Sequence, residues 1–246
     1  LRGRSLHLTL LNQMVGDWLL RRLGMPPTNL LYAAGGVLEL LLPPDLQTAE
    51  QLEAAMAALE AALWEAFDGD LGSVYAEHLM RPPDFADVRH LRAELEEQVA
   101  LAKRRKWRER LERPDFFRAR PLYHACSVCG LTPVPNEGQS CSLCNLHADL
   151  GEILPHTAAL VHTVEPPLQE SSTTVGLPAP LSGYVTLCRT QELGPILGWV
   201  GQADREALVR GINVLPEMTA EPGEGAVQGV WTTANTAPLV DGKVLD

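Results

Sequence analysis

The sequence lacks any apolar run near the ~18–20 residues that a membrane-spanning helix needs, so we expect no membrane partner. Positive charge is scarce in the second half, where residues 121–246 hold 4 basic and 13 acidic residues. The net charge of −11 argues against a protein that coats nucleic acid with its whole surface. With 5 cysteines and no recognisable secretory signal, we expect a reducing, cytoplasmic setting in which metal binding is favoured over disulfides.

The 246 residues are 46% hydrophobic and 21% charged, which is typical of folded globular protein. That length leaves room for one large domain or for two to three small ones. Because the first residue is Leu1, we expect the sequence to be a piece of a longer protein.

The first third of the chain has a regular order of elements. Apolar residues at helical spacing predict three helices, over residues 5–23, 49–67 and 86–112. Gly35 and Gly36 predict the turn of a hairpin over residues 29–42, because paired glycines tolerate the positive φ of tight turns. A further strand over residues 71–80 would complete a ferredoxin-like unit that lacks its first strand.

The rest of the chain divides at prolines and at changes of composition. We predict four regions: an incomplete α+β domain over 1–83, a helical connection over 84–121, a cysteine-containing ribbon over 122–158, and a small mixed region over 159–246. In the last region we predict a loop over 166–180, strands over 183–188 and 226–234, and a short helix over 202–212.

Two CxxC pairs are the most specific motif. Cys126 and Cys129 are separated by 11 residues from Cys141 and Cys144, a spacing that lets two tight turns face one tetrahedral zinc. Four thiolates close the coordination shell, so the predicted role is structural.

A redox dithiol, an iron–sulfur cluster and chance are the alternatives to zinc, and two paired motifs make zinc the preferred interpretation. His147 is an alternative ligand, although a surface role is more common for such a histidine. Gly130 and Asn145 follow the pairs, where a residue that tolerates positive φ is favoured. Cys188 is most simply a small buried side chain.

Two further segments are candidates for binding. The Gly35–Gly36 turn brings backbone within reach of a phosphate or a base, although a plain hairpin turn is the commoner reading. The basic stretch over residues 103–108 has the composition of a phosphate-binding site, in which Trp107 would stack on a base. A solvated helix end explains the same composition equally well. Its candidate residues are Lys103, Arg104, Arg105, Lys106, Trp107 and Arg108. We find no catalytic metal pair and assign no catalytic residue.

Several segments together resemble the large, palm-containing subunit of type III-A CRISPR effector complexes, the Csm type. The matching segments, in the order of that family, are 1–6, 24 and 28–29; 31–36 and 42–43; 126–130, 141–144 and 150–155; and 231–235 with 238. They correspond to the opening helix of the first palm domain, its glycine hairpin, the zinc segment between two palms, and the lead-in to the second palm.

The resemblance implies an RNA-guided antiviral subunit whose two palms hold ATP and join it into cyclic oligoadenylate. Gly35 and Gly36 would line one ATP pocket, with Arg4 and Ser5 nearby. ATP and a divalent metal would bind only in the full subunit, and structural zinc would bind here. Implied partners are the other effector subunits and, indirectly, guide and target RNA.

The sequence departs from that family in several places. It lacks the histidine–aspartate nuclease motif, the Gly-Gly-Asp-Asp turn and the first strand of the first palm. Val37 and Leu38 replace a more polar-aromatic pair beside the hairpin turn. We therefore expect this chain alone to be neither cyclase nor nuclease. The alternatives are a non-enzymatic, RNA- or protein-binding zinc scaffold and an inactive gene remnant.

Overall fold

The computed structural model describes residues 2–114, 116–117, 124–165, 173–176, 181, 183–202, 207–212, 230–232, 239–240 and 243–244. Its α-helices are α1 (Arg2–Arg22), α2 (Leu46–Phe67), α3 (Val88–Arg104), α4 (Ser142–Ile153) and α5 (Thr190–Gln202). Short 3-10 helices cover Pro27–Asn29, Pro82–Ala86, Arg108–Arg110 and Leu154–His156. None of these described helices is both long and apolar enough to cross a membrane.

The strands form one central sheet and three small ones. The strands are β1 (Leu30–Ala34), β2 (Val37–Leu40), β3 (His124–Ala125), β4 (Pro133–Val134), β5 (Ala159–Thr163), β6 (Thr173–Gly176), β7 (Tyr184–Cys188), β8 (Ala207–Ile212), β9 (Val230–Thr232), β10 (Leu239–Val240) and β11 (Lys243–Val244). The five-stranded sheet has the order β6-β7-β5-β8-β9 and is antiparallel except where β8 meets β9. The predicted mixed α+β fold is confirmed.

The central sheet has helices on both faces. Side chains of α1, α2 and α4 form one core with the sheet; its fully buried members include Leu10, Met14, Leu59, Leu150 and Leu187. On the opposite face, Val161 and Cys188 pack against Ile196 of α5. Strand β5 is buried along its whole length, as expected for a strand covered on both faces. Helix α1 and the described strands β5, β6, β7 and β8 therefore share one core.

A buried polar cluster also joins α1 to the sheet. The Asp17 carboxylate on α1 accepts from the Arg210 guanidinium on β8 at 3.2 and 3.3 Å, and its Oδ2 lies 3.2 Å from His162 Nδ1 on β5. Burial alone would raise the pKa of Asp17, but the hydrogen bond from His162 and the charge of Arg210 outweigh it, so the pKa is lowered. Side chains from two strands, β5 and β8, therefore hold this carboxylate of α1 in its ionised form.

The hairpin and the second helix agree with prediction. β1 and β2 pair antiparallel around Gly35 and Gly36, whose φ values are +60° and +76°. The α2 helix begins at Leu46, three residues before the predicted start, because Asp45 acts as its N-cap. The Asp45 carboxylate accepts from the Thr48 backbone N–H at 2.8 Å.

Other predicted elements are wrong. Residues 71–80 form no strand, so the ferredoxin-like order is not completed there and the palm arrangement stays a prediction. The helix predicted over 86–112 ends at Arg104, and Trp107 follows with φ +66°. Residues 207–212 form strand β8 rather than a helix, and α5 was not predicted.

Part of the predicted loop over 166–180 is strand β6, which pairs with β7 and therefore belongs to the central sheet. The remainder of that loop lies outside the described residues. The strand predicted over 183–188 is confirmed as β7. Within the segment 226–234, residues 230–232 form β9, and the other positions are outside the described residues.

Candidate metal centre and binding surfaces

Four cysteines converge on one point. The Sγ atoms of Cys126, Cys129, Cys141 and Cys144 all lie within 4.8 Å of one another, and those of Cys129 and Cys141 are 4.0 Å apart. A tetrahedral zinc ion with Zn–S bonds of ~2.3 Å places its sulfurs ~3.8 Å apart. The donor set therefore fits zinc in chemistry, in number and in spacing, as the motif predicts.

The two CxxC pairs reach this point by different local structures. The first pair occupies a tight turn after β3, in which the Gly130 N–H donates to the Cys126 carbonyl at 2.9 Å with φ +69°. The second pair opens a helix, with Cys141 as the N-cap of α4 and Cys144 in its first turn. The prediction that Asn145 takes positive φ is wrong, because Asn145 is a helical residue of α4.

Backbone donors stabilise negative charge on the first sulfur. Hydrogen bonds from backbone N–H groups, that of Cys129 first, lower the pKa of the Cys126 thiol to about 6 against the opposing effect of burial. The N–H of Cys141 contributes at 3.2 Å. The pKa of Cys129 is also lowered, chiefly by the N–H of Thr132.

The fourth sulfur is electrostatically different. Burial, together with the neighbouring thiols, raises the pKa of Cys144 to about 12. Four thiolates cannot crowd together without a compensating cation, and a divalent ion supplies it. Zinc bound by Cys126, Cys129, Cys141 and Cys144 would have no open coordination position, so it would serve a structural role.

His147, the alternative ligand, contacts α1. Its Nε2 lies 3.0 Å from Nδ1 of His7, so one imidazole donates to the other. Burial, followed by the charge of His147, lowers the pKa of His7 to about 4. For His147, burial and then the charge of Arg4 also lower the pKa. The two rings therefore form a neutral pair between α1 and α4, beside the cysteine cluster.

The candidate nucleotide residues lie along α1 and its hairpin. A Cβ added at Gly35 or Gly36 would meet nothing within 4 Å, so the turn is open to a ligand. The Asn12 side chain donates to the Val37 carbonyl at 2.7 Å, which fixes the turn end of the hairpin against the middle of α1. Arg4 and Ser5 are exposed about two helical turns nearer the start of α1.

The basic stretch does not continue the helix as predicted. Lys103 and Arg104 are the last two residues of α3. Arg108 begins a 3-10 helix directly after Trp107, whose φ is +66°. Lys103, Arg104, Arg105 and Arg108 are exposed, and the Lys106 ammonium lies 4.9 Å from the centre of the Trp107 ring. The structure thus spreads these cations around a bend.

An aromatic cluster that the sequence did not predict lies beside this bend. The ring of Trp64 on α2 lies 4.9 Å from Trp107, edge to face, and 5.4 Å from Phe116, nearly parallel. The Arg110 guanidinium lies 4.9 Å from the Trp64 ring and pairs with Glu60 at 3.0 Å. The adjacent phenylalanines Phe116 and Phe117, three residues after Arg113, were the available sequence signal.

Comparison with known proteins adds two findings and one negative result. Residues 1–119 match the family model described as "Csm1 subunit domain B". No curated protein matches the chain in sequence.

Solved structures extend the likeness along the chain. The chain resembles Csm1 in a Csm1–Csm4 subcomplex of the type III-A CRISPR-Csm interference complex, with TM-score 0.54, 20% identity and coverage of 94% of this chain and 26% of that chain. A Csm1–Csm4 cassette in complex with one ATP gives TM-score 0.54, 20% identity and coverage of 94% and 27%. Csm1 in T. onnurineus gives TM-score 0.51, 17% identity and coverage of 94% of this chain and 25% of that chain.

The chain therefore spans about a quarter of the length of these structures. At such low identity the structural likeness concerns the fold, whereas the family match concerns the sequence of the first 119 residues. Residues 1–119 are therefore similar in sequence to Csm1 domain B, and the fold is similar to that of Csm1 over 94% of the chain.

Proposed function

We propose that this chain is the part of a type III CRISPR effector large subunit that supplies half of an ATP-binding palm interface, together with a structural zinc module. The observation that carries the proposal is the Gly35–Gly36 turn, whose positive φ values and open surroundings leave backbone N–H groups accessible to a phosphate or base. Arg4 and Ser5 are the side chains assigned to the same pocket.

Two further points support this assignment. The matched domain B covers both α1 and the hairpin, and a chain of similar fold has been crystallised with one ATP. The apolar pair Val37 and Leu38 limits the polar contacts that the turn can add. We therefore assign the second half of the interface, and any divalent metal, to the second palm of the full subunit.

The proposed division of labour follows the predicted regions. Residues 1–83 supply the nucleotide contact, residues 84–121 connect, residues 122–158 hold zinc, and residues 159–246 lead toward the second palm. Proposed partners are the other effector subunits, with Csm4 as the partner in the solved Csm1 assemblies of similar fold. The chain lacks the histidine–aspartate nuclease motif and the Gly-Gly-Asp-Asp turn. Synthesis of cyclic oligoadenylate and cleavage of nucleic acid would therefore require the full subunit.

Amide NMR of the whole chain tests the nucleotide contact. Because only half of the interface is present, we expect weak binding, seen as progressive shifts of the Gly35 and Gly36 amide signals at millimolar ATP. Gly36→Ala should remove the response, since a side chain at φ +76° strains the turn.

Gly24→Ala is the matched control, because Gly24 also has positive φ and open space around a Cβ but follows the end of α1, outside the hairpin. It should leave the ATP response intact. Shifts that avoid the hairpin, or that survive in Gly36→Ala, would contradict the ATP assignment.

A second candidate is a non-enzymatic, RNA-binding zinc scaffold. The observation that favours it is the exposure of Lys103, Arg104, Arg105 and Arg108 on an otherwise acidic chain. RNA binding that these cations govern, with ATP binding absent in every variant, would favour the scaffold over the ATP interface. An aggregated chain despite added zinc would favour the gene remnant.

A further inference from the structure

The aromatic cluster beside the basic bend ends in an exposed ring. Trp64 lies at its centre, with the Phe116 ring stacked on it, and Phe117 meets Phe116 edge to face at 4.9 Å. Phe117 is 77% exposed, so most of its ring faces solvent. An aromatic side chain that contacts one neighbouring ring and is otherwise mostly exposed is available to stack on a further ring.

Trp107 is poorly placed for base stacking, which the sequence offers as one of two alternatives for the basic stretch. The centre of its ring lies 4.9 Å from the centre of the Trp64 ring. The Lys106 ammonium also lies 4.9 Å from the centre of the Trp107 ring. On another side, a Cβ added at Gly72 would come within 2.5 Å of the ring. Trp107 is therefore held inside the cluster, and the exposed aromatic surface belongs to Phe117.

The cations around the aromatic cluster fall into two groups: some are exposed to solvent, and one is already paired. Five cations nearby are exposed: Lys103, Arg104, Arg105, Arg108 and Arg113. Arg110 is already engaged by Glu60 and Trp64.

An open depression of about 430 Å3 lies against Trp64 and is lined also by Ala61, Glu65, Asp68, Arg110 and Arg113. The Glu65 carboxylate can accept hydrogen bonds from the amino groups of a base, and the Arg113 guanidinium can donate to its carbonyl oxygens or ring nitrogens. The depression therefore suits a nucleobase, whereas the exposed cations suit phosphates.

We propose that Phe117, with the exposed cations around the bend, binds a single-stranded nucleic acid by stacking on one of its bases. The inference deepens the second candidate function and rests on it. A duplex hides the faces of its bases, so it cannot use the ring of Phe117. An acidic protein would pair with the same cations but would leave that ring without a stacking partner.

Fluorescence anisotropy with labelled RNA of mixed sequence tests the proposal on the whole zinc-loaded chain. Phe117→Ala should weaken binding of single-stranded RNA about tenfold, the loss typical of one stacked base. Phe117→Tyr, which keeps the ring, should retain binding. Phe85→Ala is the matched control, because Phe85 is also exposed, at 57%, but lies in the 3-10 helix Pro82–Ala86.

The cations are tested separately from the ring. Arg105→Gln or Arg108→Gln should reduce the slope of the logarithm of the binding constant against the logarithm of salt concentration. The expected reduction is ~0.7 per lost phosphate contact. Arg89→Gln, at an exposed position near the start of α3, should leave it unchanged. A cation effect without a Phe117 effect would overturn the stacking inference and spare the scaffold proposal.

Two other results would also overturn it. Equal affinity for double-stranded RNA, or for polyglutamate, would mean that the surface recognises charge alone. Absence of binding at low salt would refute both the inference and the RNA-binding scaffold, and unchanged melting temperatures would show that the variants are folded.

Discussion

Gly3 of α1 lies against the backbone carbonyl of His147 on α4, so closely that a Cβ added at Gly3 would come within 1.8 Å of that oxygen. Gly151, one turn farther along α4, faces the same point: a Cβ added there would lie 3.4 Å from the Gly3 nitrogen. The two helices therefore cross at backbone contact. A side chain at position 3 requires the backbone of α4 to move.

Gly3→Ala should destabilise the chain by about 1–3 kcal/mol, because the added methyl group meets rigid backbone instead of a movable side chain. Urea unfolding followed by circular dichroism measures the loss. Gly194→Ala is the matched control: it is also helical, on α5, and a Cβ there meets nothing within 4 Å. That control should be neutral or stabilising by about 0.5–1 kcal/mol. Equal effects of the two substitutions would contradict the close crossing.

This crossing shows what the sequence could not reveal. Local patterns predicted α1, α2 and the hairpin, because helical spacing and the Gly35–Gly36 pair act within a few residues. The same is true of the four-cysteine cluster, since each of its two pairs is set by a short CxxC motif. Gly3 carries no local signal, since its requirement arises from a helix almost 150 residues away.

The wrong predictions have the same origin. Residues 207–212 have no strong local preference, and they become strand β8 because the edge of β5 is available for pairing. Trp107 was expected to extend a helix, but its ring is drawn into the cluster around Trp64, and the backbone reverses there. In both cases long-range packing, and not the local sequence, decides the backbone conformation.

The ion cluster between α1 and the sheet should contribute measurably to stability. Asp17→Asn leaves Arg210 and His162 without their anionic partner at a mostly buried site, and we expect a loss of about 2–4 kcal/mol. Chemical denaturation at neutral pH measures it. Because the pKa of Asp17 is lowered, this contribution is present above the unfolded-state pKa of 3.8 and is lost as pH falls through the folded-state value.

Glu39→Gln is the control for that substitution. Glu39 pairs with Arg92 at 2.8 Å, and the Arg92 side chain is half exposed. Solvent screens such a pair, so the change should stay within about 1 kcal/mol. A loss at Glu39 equal to that at Asp17 would show that burial does not distinguish the two pairs.

Burial of His7, and secondarily its contact with His147, should make stability depend on pH in a specific range. The pKa of His7 is about 4 in the folded chain, below its ordinary value of 6.5, so protonation favours the unfolded chain. Its stabilising contribution is complete above pH 6.5 and declines toward pH 4. Unfolding of the zinc-loaded chain between pH 7 and pH 5 should therefore show falling stability.

The control is the slope, not the absolute stability, of a His7→Gln variant. Glutamine does not titrate in this range, so the variant should lose less stability than the unaltered chain between pH 7 and pH 5. Zinc content is measured at each pH, because protonation of thiols also releases metal. Equal slopes at equal zinc content would contradict the assignment to His7.

Removal of the metal should destabilise the central core and not just the ribbon. Leu150 and Ile153 of α4 belong to the main core, and the N-cap of α4 is Cys141, one of the four proposed zinc ligands. Cys126→Ser should abolish binding of one zinc per chain and lower the melting temperature by roughly 10 °C or more, since a structural zinc contributes several kcal/mol. Atomic absorption and calorimetry measure both quantities.

Cys188→Ser separates loss of metal from loss of a buried thiol. Cys188 is fully buried on the opposite face of the sheet, with its pKa raised to about 12 by burial, and it lies outside the four-cysteine group. This variant should retain one zinc and should lose stability only through packing. Hydrogen exchange then locates the effect: without zinc, amides of α1 as well as α4 should lose protection, because the two helices cross at Gly3. Faster exchange confined to residues 124–145 would mean that the ribbon folds independently of the core.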